Sequence, residues 1–127
     1  MRVLYVCTGN SFRSPVAEAL TRKYRPKLEV ESAGTDPASH IAENGKELLE
    51  VEGAFEYVKP DPDPLSQRAL DKADTAVAMK DRHKKYILEN FGADEENIEV
   101  WDVEDRIGSD VDPEEAFHEI KEKVRKL

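Results

Sequence analysis

Four consecutive apolar residues, Val3-Leu4-Tyr5-Val6, run into Cys7 with no polar position among them. A run that short, without a hydrophilic side, reads as a strand buried on both faces, as in a parallel sheet covered by helices. Gly9 and Asn10 then mark a tight loop. Ser14-Pro15 reads as a helix start, with Ser14 at the cap and Pro15 in the first turn. Val16, Ala19, Leu20 and Tyr24 share one face at helical spacing, and Pro26 stops the helix.

The same alternation continues along the chain. A second strand is expected at Leu28 to Ser32, ending in Ala33-Gly34, and a helix at Ala42 to Glu52 with Leu48 and Leu49 inward and Gly53 closing it. Three prolines alternating with aspartates between Lys59 and Pro64 make a stiff loop. Ser66 caps a short helix through Lys72, Thr75 to Met79 is a third strand, and Asp81 caps a helix to Phe91, closed by Gly92. Asn97 to Trp101 is a fourth strand. Asp112-Pro113-Glu114-Glu115 opens a last helix with Phe117, Ile120, Val124 and Leu127 on one stripe. This order predicts a doubly wound α/β domain over residues 1–127, with a four-stranded parallel sheet flanked by helices on both faces. Ligands of such sheets bind beyond the carboxyl ends of the strands, here at the loops that begin at Cys7, Ala33 and Asp102, with Lys80 as a fourth.

Composition narrows the function classes. A length of 127 residues fits one domain. The net charge of -9 argues against nucleic acid as a partner. It leaves room for an anionic substrate, because salt screens distant charges over about 10 Å and near groups dominate. No stretch approaches the roughly 20 apolar residues needed to span a bilayer. A cytoplasmic monomer with no membrane contact is expected. The single cysteine rules out an intramolecular disulfide, and no spacing suggests a metal site or another cofactor.

The chemistry concentrates in Cys7-Thr8-Gly9-Asn10-Ser11-Phe12-Arg13-Ser14-Pro15. A loop between a strand and a helix aims backbone N–H groups at one spot with the helix N-terminus behind them, which makes an anion site. Gly9 and Asn10 tolerate the left-handed backbone that such a nest needs. Helix dipole and Arg13 both favour the Cys7 thiolate. Arg13 brings a planar fork that grips two phosphate oxygens, and Ser14 can donate to the sulfur as it leaves. Cys7 and Arg13 are therefore the candidate catalytic pair, with Thr8, Gly9, Asn10, Ser11, Phe12 and Ser14 as the substrate-binding loop. In-line attack of the thiolate on phosphorus gives a cysteinyl-phosphate intermediate.

The stretch CTGNSFRSP resembles the loop of the low-molecular-weight protein tyrosine phosphatases and of the arsenate reductases built on the same fold. The resemblance continues weakly through Ser32-Ala33-Gly34-Thr35 and through Ala73-Asp74 to Met79, and it covers essentially the whole chain. It implies hydrolysis of a phosphotyrosine-containing protein or a small aryl phosphate. Many members carry a second cysteine just before the arginine. Phe12 stands there, so Cys7 lacks a disulfide route that would protect it from irreversible oxidation.

Such a reaction needs an acid to protonate the leaving group. The family pattern is an Asp before a Pro after the fourth strand, and the best match is Asp105, followed by Arg106 in place of proline. Asp102 is the alternative, and Glu104 and Asp110 read as surface acids. His40 is placed at the substrate entrance, His83 and His118 as structural or exposed, and Met79 in the core. Thr35 to His40, Phe12 and the residues after Asp105 are expected to form a rim around an aryl ester. Arsenate reduction through an external thiol and phosphate binding without chemistry are the competing readings.

Overall fold

The computed structural model describes residues 1–105 and 112–127. Strand β1 (Arg2–Cys7) lies at the centre of the molecule, between β2 (Glu29–Gly34) and β3 (Thr75–Ala78), and β4 (Ile98–Val100) completes a parallel sheet of order β2-β1-β3-β4. The apolar run explains this central place. Val3 and Tyr5 enter one core with Cys7, and Leu4 and Val6 enter another on the opposite face. Successive side chains of a strand alternate between faces, so a strand covered on both sides has to be apolar throughout.

Helices α1 (Arg13–Tyr24), α2 (Glu43–Glu52) and α5 (Pro113–Arg125) supply the first core, and α3 (Gln67–Lys72) and α4 (Asp81–Asn90) supply the second. The expected four-stranded sheet with helices on both faces is what forms. On α5 the stripe holds for Phe117, Ile120 and Val124, whereas Leu127 lies beyond the helix and is exposed. Truncating a side chain such as Ile120 to Ala would cost about 2–5 kcal/mol by the transfer and cavity terms together.

Caps fall partly where the sequence puts them. Ser66 accepts from the Ala69 N–H at 3.1 Å, Asp112 accepts from Glu114 at 2.9 Å, and Gly53 closes α2 with φ 78°. Two expected caps are corrected. Helix α1 begins two residues early, at Arg13 with Phe12 as its cap residue, which places Ser14 inside the first turn with its hydroxyl turned to Cys7. Helix α4 is capped at Lys80, whose backbone N–H is accepted at 3.0 Å by the His83 ring, so Asp81 is already helical.

The chain leaves β1 towards β2, then returns past β1 to form β3 and β4. The carboxyl end of β1 is therefore the point where strand order reverses, the place where open α/β sheets bind ligands. Cys7 is the last residue of β1. No helix among the described residues is long and apolar enough to cross a membrane.

Candidate active site

The loop after β1 is shaped from behind by the segment that follows β2. The carbonyls of Cys7, Thr8, Gly9 and Ser11 accept hydrogen bonds from the N–H groups of Thr35, Asp36, Ala38 and Ala42, at 2.8–3.0 Å. In a trans peptide the carbonyl and the next N–H point in opposite directions. The N–H groups of Thr8, Gly9, Asn10 and Phe12 are thereby turned away from that segment, to the inner side of the loop. The Asn10 N–H shows the result, 3.3 Å from Cys7 Sγ. Asn10 adopts the left-handed backbone expected of it, with φ 49°. Gly34 permits the close approach of the two segments, since a Cβ there would sit 2.6 Å from the Thr8 carbonyl oxygen.

Cys7 is buried, with only 2% of its surface exposed. The Ser14 hydroxyl lies 2.9 Å from its sulfur. Asn10 settles the direction of that bond. Its side-chain oxygen faces two donors, the Lys59 ammonium at 2.7 Å and the Asp63 N–H at 2.8 Å. Its NH2 group therefore points the other way and donates to Ser14 Oγ at 2.8 Å and to Ser32 Oγ at 2.9 Å. Ser14 accepts from Asn10 and has its own proton left for Cys7. The sulfur thus faces two donors, the Ser14 O–H and the Asn10 N–H.

Arg13 is 3% exposed, on the first turn of α1. One guanidinium nitrogen donates to the Val103 carbonyl at 3.1 Å, and the other reaches Asp105 Oδ2 at 3.4 Å. Burial pulls its pKa down from the ordinary value, opposed by the Cys7 and Asp105 charges. The arginine remains the cation of the site.

Of the two acids weighed for proton donation, the structure brings Asp105 to Arg13 and holds Asp102 elsewhere. Asp102 has φ 58° and accepts from Lys80 Nζ at 2.6 Å, and that bond depresses its pKa. Glu104 accepts from the same ammonium at 2.9 Å. Arg106 and Asp110 lie outside the described residues.

The remaining loop positions divide between backbone and side chain. The Ser11 hydroxyl donates to the His40 carbonyl at 2.9 Å, which ties the loop to the segment carrying His40. The expectation that Phe12 lines the rim is corrected. Its ring belongs to the core, against Val16 and against Gly45, where a Cβ would come within 3.1 Å of it. An apolar ring at the start of α1 is more stable buried between two helices than over an anion. Phe12 thus offers the site its backbone. The side chains of Asn10 and Ser14 likewise serve the sulfur and the framework beneath it. His118 is exposed and Met79 is fully buried, as expected.

His83 is the residue that sequence reasoning undervalued. It is 2% exposed and joins the loop directly, with Nε2 2.8 Å from Thr8 Oγ1. Because Nδ1 accepts the Lys80 N–H, Nε2 carries the proton and donates to Thr8. Burial, together with Arg13, Arg82 and Lys80 nearby, pushes its pKa down to about 3. The folded protein therefore keeps His83 neutral while the unfolded chain protonates it near 6.5. Stability from this group is complete above that value and is lost as pH falls towards about 3, by at most about 1.4 kcal/mol per pH unit. On moving from about pH 7.5 to about pH 5.5, wild type is expected to lose about 1.4 kcal/mol more than His83→Gln in urea unfolding. Parallel loss in the two proteins would contradict the assignment.

The comparisons with known proteins agree with this geometry. The family model for low molecular weight phosphotyrosine protein phosphatase matches residues 2–127. A protein-arginine-phosphatase of Bacillus subtilis (strain 168) is 30% identical over 144 aligned positions, covering 100% of this chain and 94% of that protein. The low molecular weight protein-tyrosine-phosphatase PtpB of Staphylococcus aureus is 29% identical, over 89% of this chain and 81% of its own length. A solved structure described as YwlE arginine phosphatase, a mutant with a phosphorylated active-site serine, superposes with a TM-score of 0.88 at 27% identity, covering 100% of this chain and 93% of that one. With the model spanning all but the first residue, the chain belongs to the low molecular weight phosphotyrosine protein phosphatase family.

Proposed function

We propose that the protein is a cysteine-dependent phosphatase of phosphorylated proteins, with Cys7 as nucleophile, Arg13 as phosphate clamp and Asp105 as proton donor. The observation that carries this reading is the Ser14 hydroxyl 2.9 Å from a buried sulfur that also receives the Asn10 N–H, at the mouth of a ring of inward N–H groups. The thiolate attacks phosphorus in line, and the bond from phosphorus to the leaving group breaks, P–O in an aryl phosphate and P–N in phosphoarginine. The N–H groups and the Arg13 fork bind the equatorial oxygens, where transition-state charge collects. Asp105 passes its proton to the departing oxygen or nitrogen. Water then cleaves the cysteinyl phosphate and Ser14 supports the departing thiolate. The phosphorylated serine in the YwlE mutant structure supports a covalent phospho-enzyme here. A substrate dianion competes for the Arg13 guanidinium, which draws it away from Asp105 and leaves that carboxyl to the leaving group. Action in the cytoplasm as a monomer belongs to the same reading.

Two substrate classes fit. Phosphotyrosine and other aryl phosphates suit the family and the relative named as a protein-tyrosine-phosphatase. Phosphoarginine is the second, favoured by the relative that aligns over the whole chain and by Asp105 beside Arg13, a carboxylate that suits a guanidinium leaving group. Arsenate reduction is weaker, because Cys7 has no second cysteine with which to pass electrons. The test is hydrolysis of a phosphotyrosine peptide and a phosphoarginine peptide side by side, without added metal. Turnover of either by wild type supports the reading, the ratio of kcat/KM assigns the class, and turnover of neither would overturn it.

Asp105→Asn tests the acid. Its kcat on a poor leaving group such as an alkyl or phenyl phosphate is expected to fall by about 10²–10⁴, with a much smaller loss on nitrophenyl phosphate, whose leaving group needs no proton. Equal losses on the two substrates would assign Asp105 to binding instead.

A further inference from the structure

Behind the nucleophile loop lies a cleft between the Lys59–Pro64 segment and β2, lined by Glu18, Ser32, Lys59 and Asp63 among others. Lys59 forms its floor, with only 9% of its side chain exposed. Its ammonium meets Asn10 Oδ1 at 2.7 Å, the Ser32 carbonyl at 2.9 Å and Asp63 Oδ2 at 2.7 Å, with Ser32 Oγ at 3.3 Å. A lysine that served only to stiffen a surface loop would need Asp63 alone, and Asp63 is largely exposed. This one instead places its charge on the side-chain oxygen of a fully buried asparagine beneath the site.

The bonds that start there run in one direction. The ammonium donates to the Asn10 oxygen, the Asn10 amide donates to Ser14 Oγ, and the Ser14 hydroxyl donates to Cys7 Sγ. A parallel branch leaves Asn10 for Ser32 Oγ, which donates to Glu18 Oε1 at 2.5 Å. Drawing electron density towards the carbonyl oxygen of an amide makes its N–H groups better donors, and hydrogen bonds in a chain strengthen one another in this sense. No link in the chain has to transfer a proton.

Resting on the phosphatase reading for its consequence in turnover, we propose that Lys59 is a positioning residue for the nucleophile, its positive charge acting through Asn10 and Ser14 to hold Cys7 as a reactive thiolate. Lys59 touches neither sulfur nor substrate, so its effect should appear in the chemistry and in the thiol rather than in substrate affinity.

The experiment measures alkylation of Cys7 by iodoacetate across pH in wild type, Lys59→Gln, Lys59→Arg and Lys59→Met, with the melting temperature of each. Lys59→Gln keeps a donor for Asn10 and loses the charge. It is expected to alkylate about tenfold more slowly at neutral pH, with the whole profile displaced to higher pH, while Lys59→Arg stays within about threefold of wild type. In turnover of an aryl phosphate, Lys59→Gln should lower kcat by a similar factor and leave KM near wild type. Should Lys59→Met fail to fold, the Gln and Arg variants carry the comparison, because both keep an N–H donor and only Arg keeps the charge. Equal alkylation rates in Gln and Arg variants, whatever their melting temperatures, would overturn the proposal. Alkylation needs no substrate, so a wild type that hydrolyses neither a phosphotyrosine nor a phosphoarginine peptide yet shows this dependence would sink the phosphatase reading and leave the role of Lys59 standing.

Discussion

Cys7→Ser is expected to lower kcat on an aryl phosphate by at least about 10⁴-fold, with the fold and phosphate binding retained. The size follows from what the site contains. Nucleophilic attack is the step that splits the reaction in two, and a serine hydroxyl in place of the thiol stays protonated at neutral pH. Ser14, which donates to the sulfur, is not placed to remove a proton, because Asn10 already donates to its oxygen at 2.8 Å. The ring of inward N–H groups is built from backbone and survives the change. Steady-state assays with inorganic phosphate as competitive inhibitor check both halves, and an inhibition constant within about threefold of wild type is expected beside the lost turnover. Activity within about tenfold of wild type would mean that another group attacks phosphorus.

Arg13→Lys should cost about 10³-fold in kcat/KM, although the charge is conserved. Lysine offers a point charge where two phosphate oxygens need a planar fork. The substitution also removes the donor to the Val103 carbonyl at 3.1 Å, and a buried acceptor left without a partner costs about 1–3 kcal/mol. A fall in melting temperature is expected alongside the kinetic loss. The two effects separate with substrate, since only the kinetic one should appear as weaker inhibition by phosphate. A loss below about tenfold would show that the backbone N–H groups bind the phosphate without the guanidinium.

Much of the architecture was legible because local signals and tertiary demands coincide. The apolar run of β1, the proline-started helices and the glycine at position 53 each have one inexpensive structural solution. Cys7, Arg13 and the Asn10 backbone were readable for the same reason, since a strand, a Gly-Asn turn and a helix leave little freedom to the loop between them. The failures have a common physical origin. Ser14 and Asp81 look like caps locally, but another partner decides each: Cys7 Sγ, seven residues back, takes the Ser14 hydroxyl, and the His83 ring accepts the Lys80 N–H and so takes the cap site from Asp81. Phe12 reads as rim from its place inside the motif, and α2, placed against it through Gly45, makes it core. His83 and Lys59 carry no spacing signal. Their roles depend on Thr8 and Asn10, 75 and 49 residues away, and no pattern within one helix or one loop encodes that distance.

Catching the covalent intermediate decides whether Cys7 carries the phosphate. Wild-type protein mixed with excess aryl phosphate and quenched in acid within a single turnover should, on peptide mapping by mass spectrometry, show one phosphate on the peptide containing Cys7. Its amount should match the initial burst of released phenol. Phosphate on any other residue, or a burst with no labelled peptide in a quench that preserves thiophosphate esters, would contradict a nucleophilic Cys7.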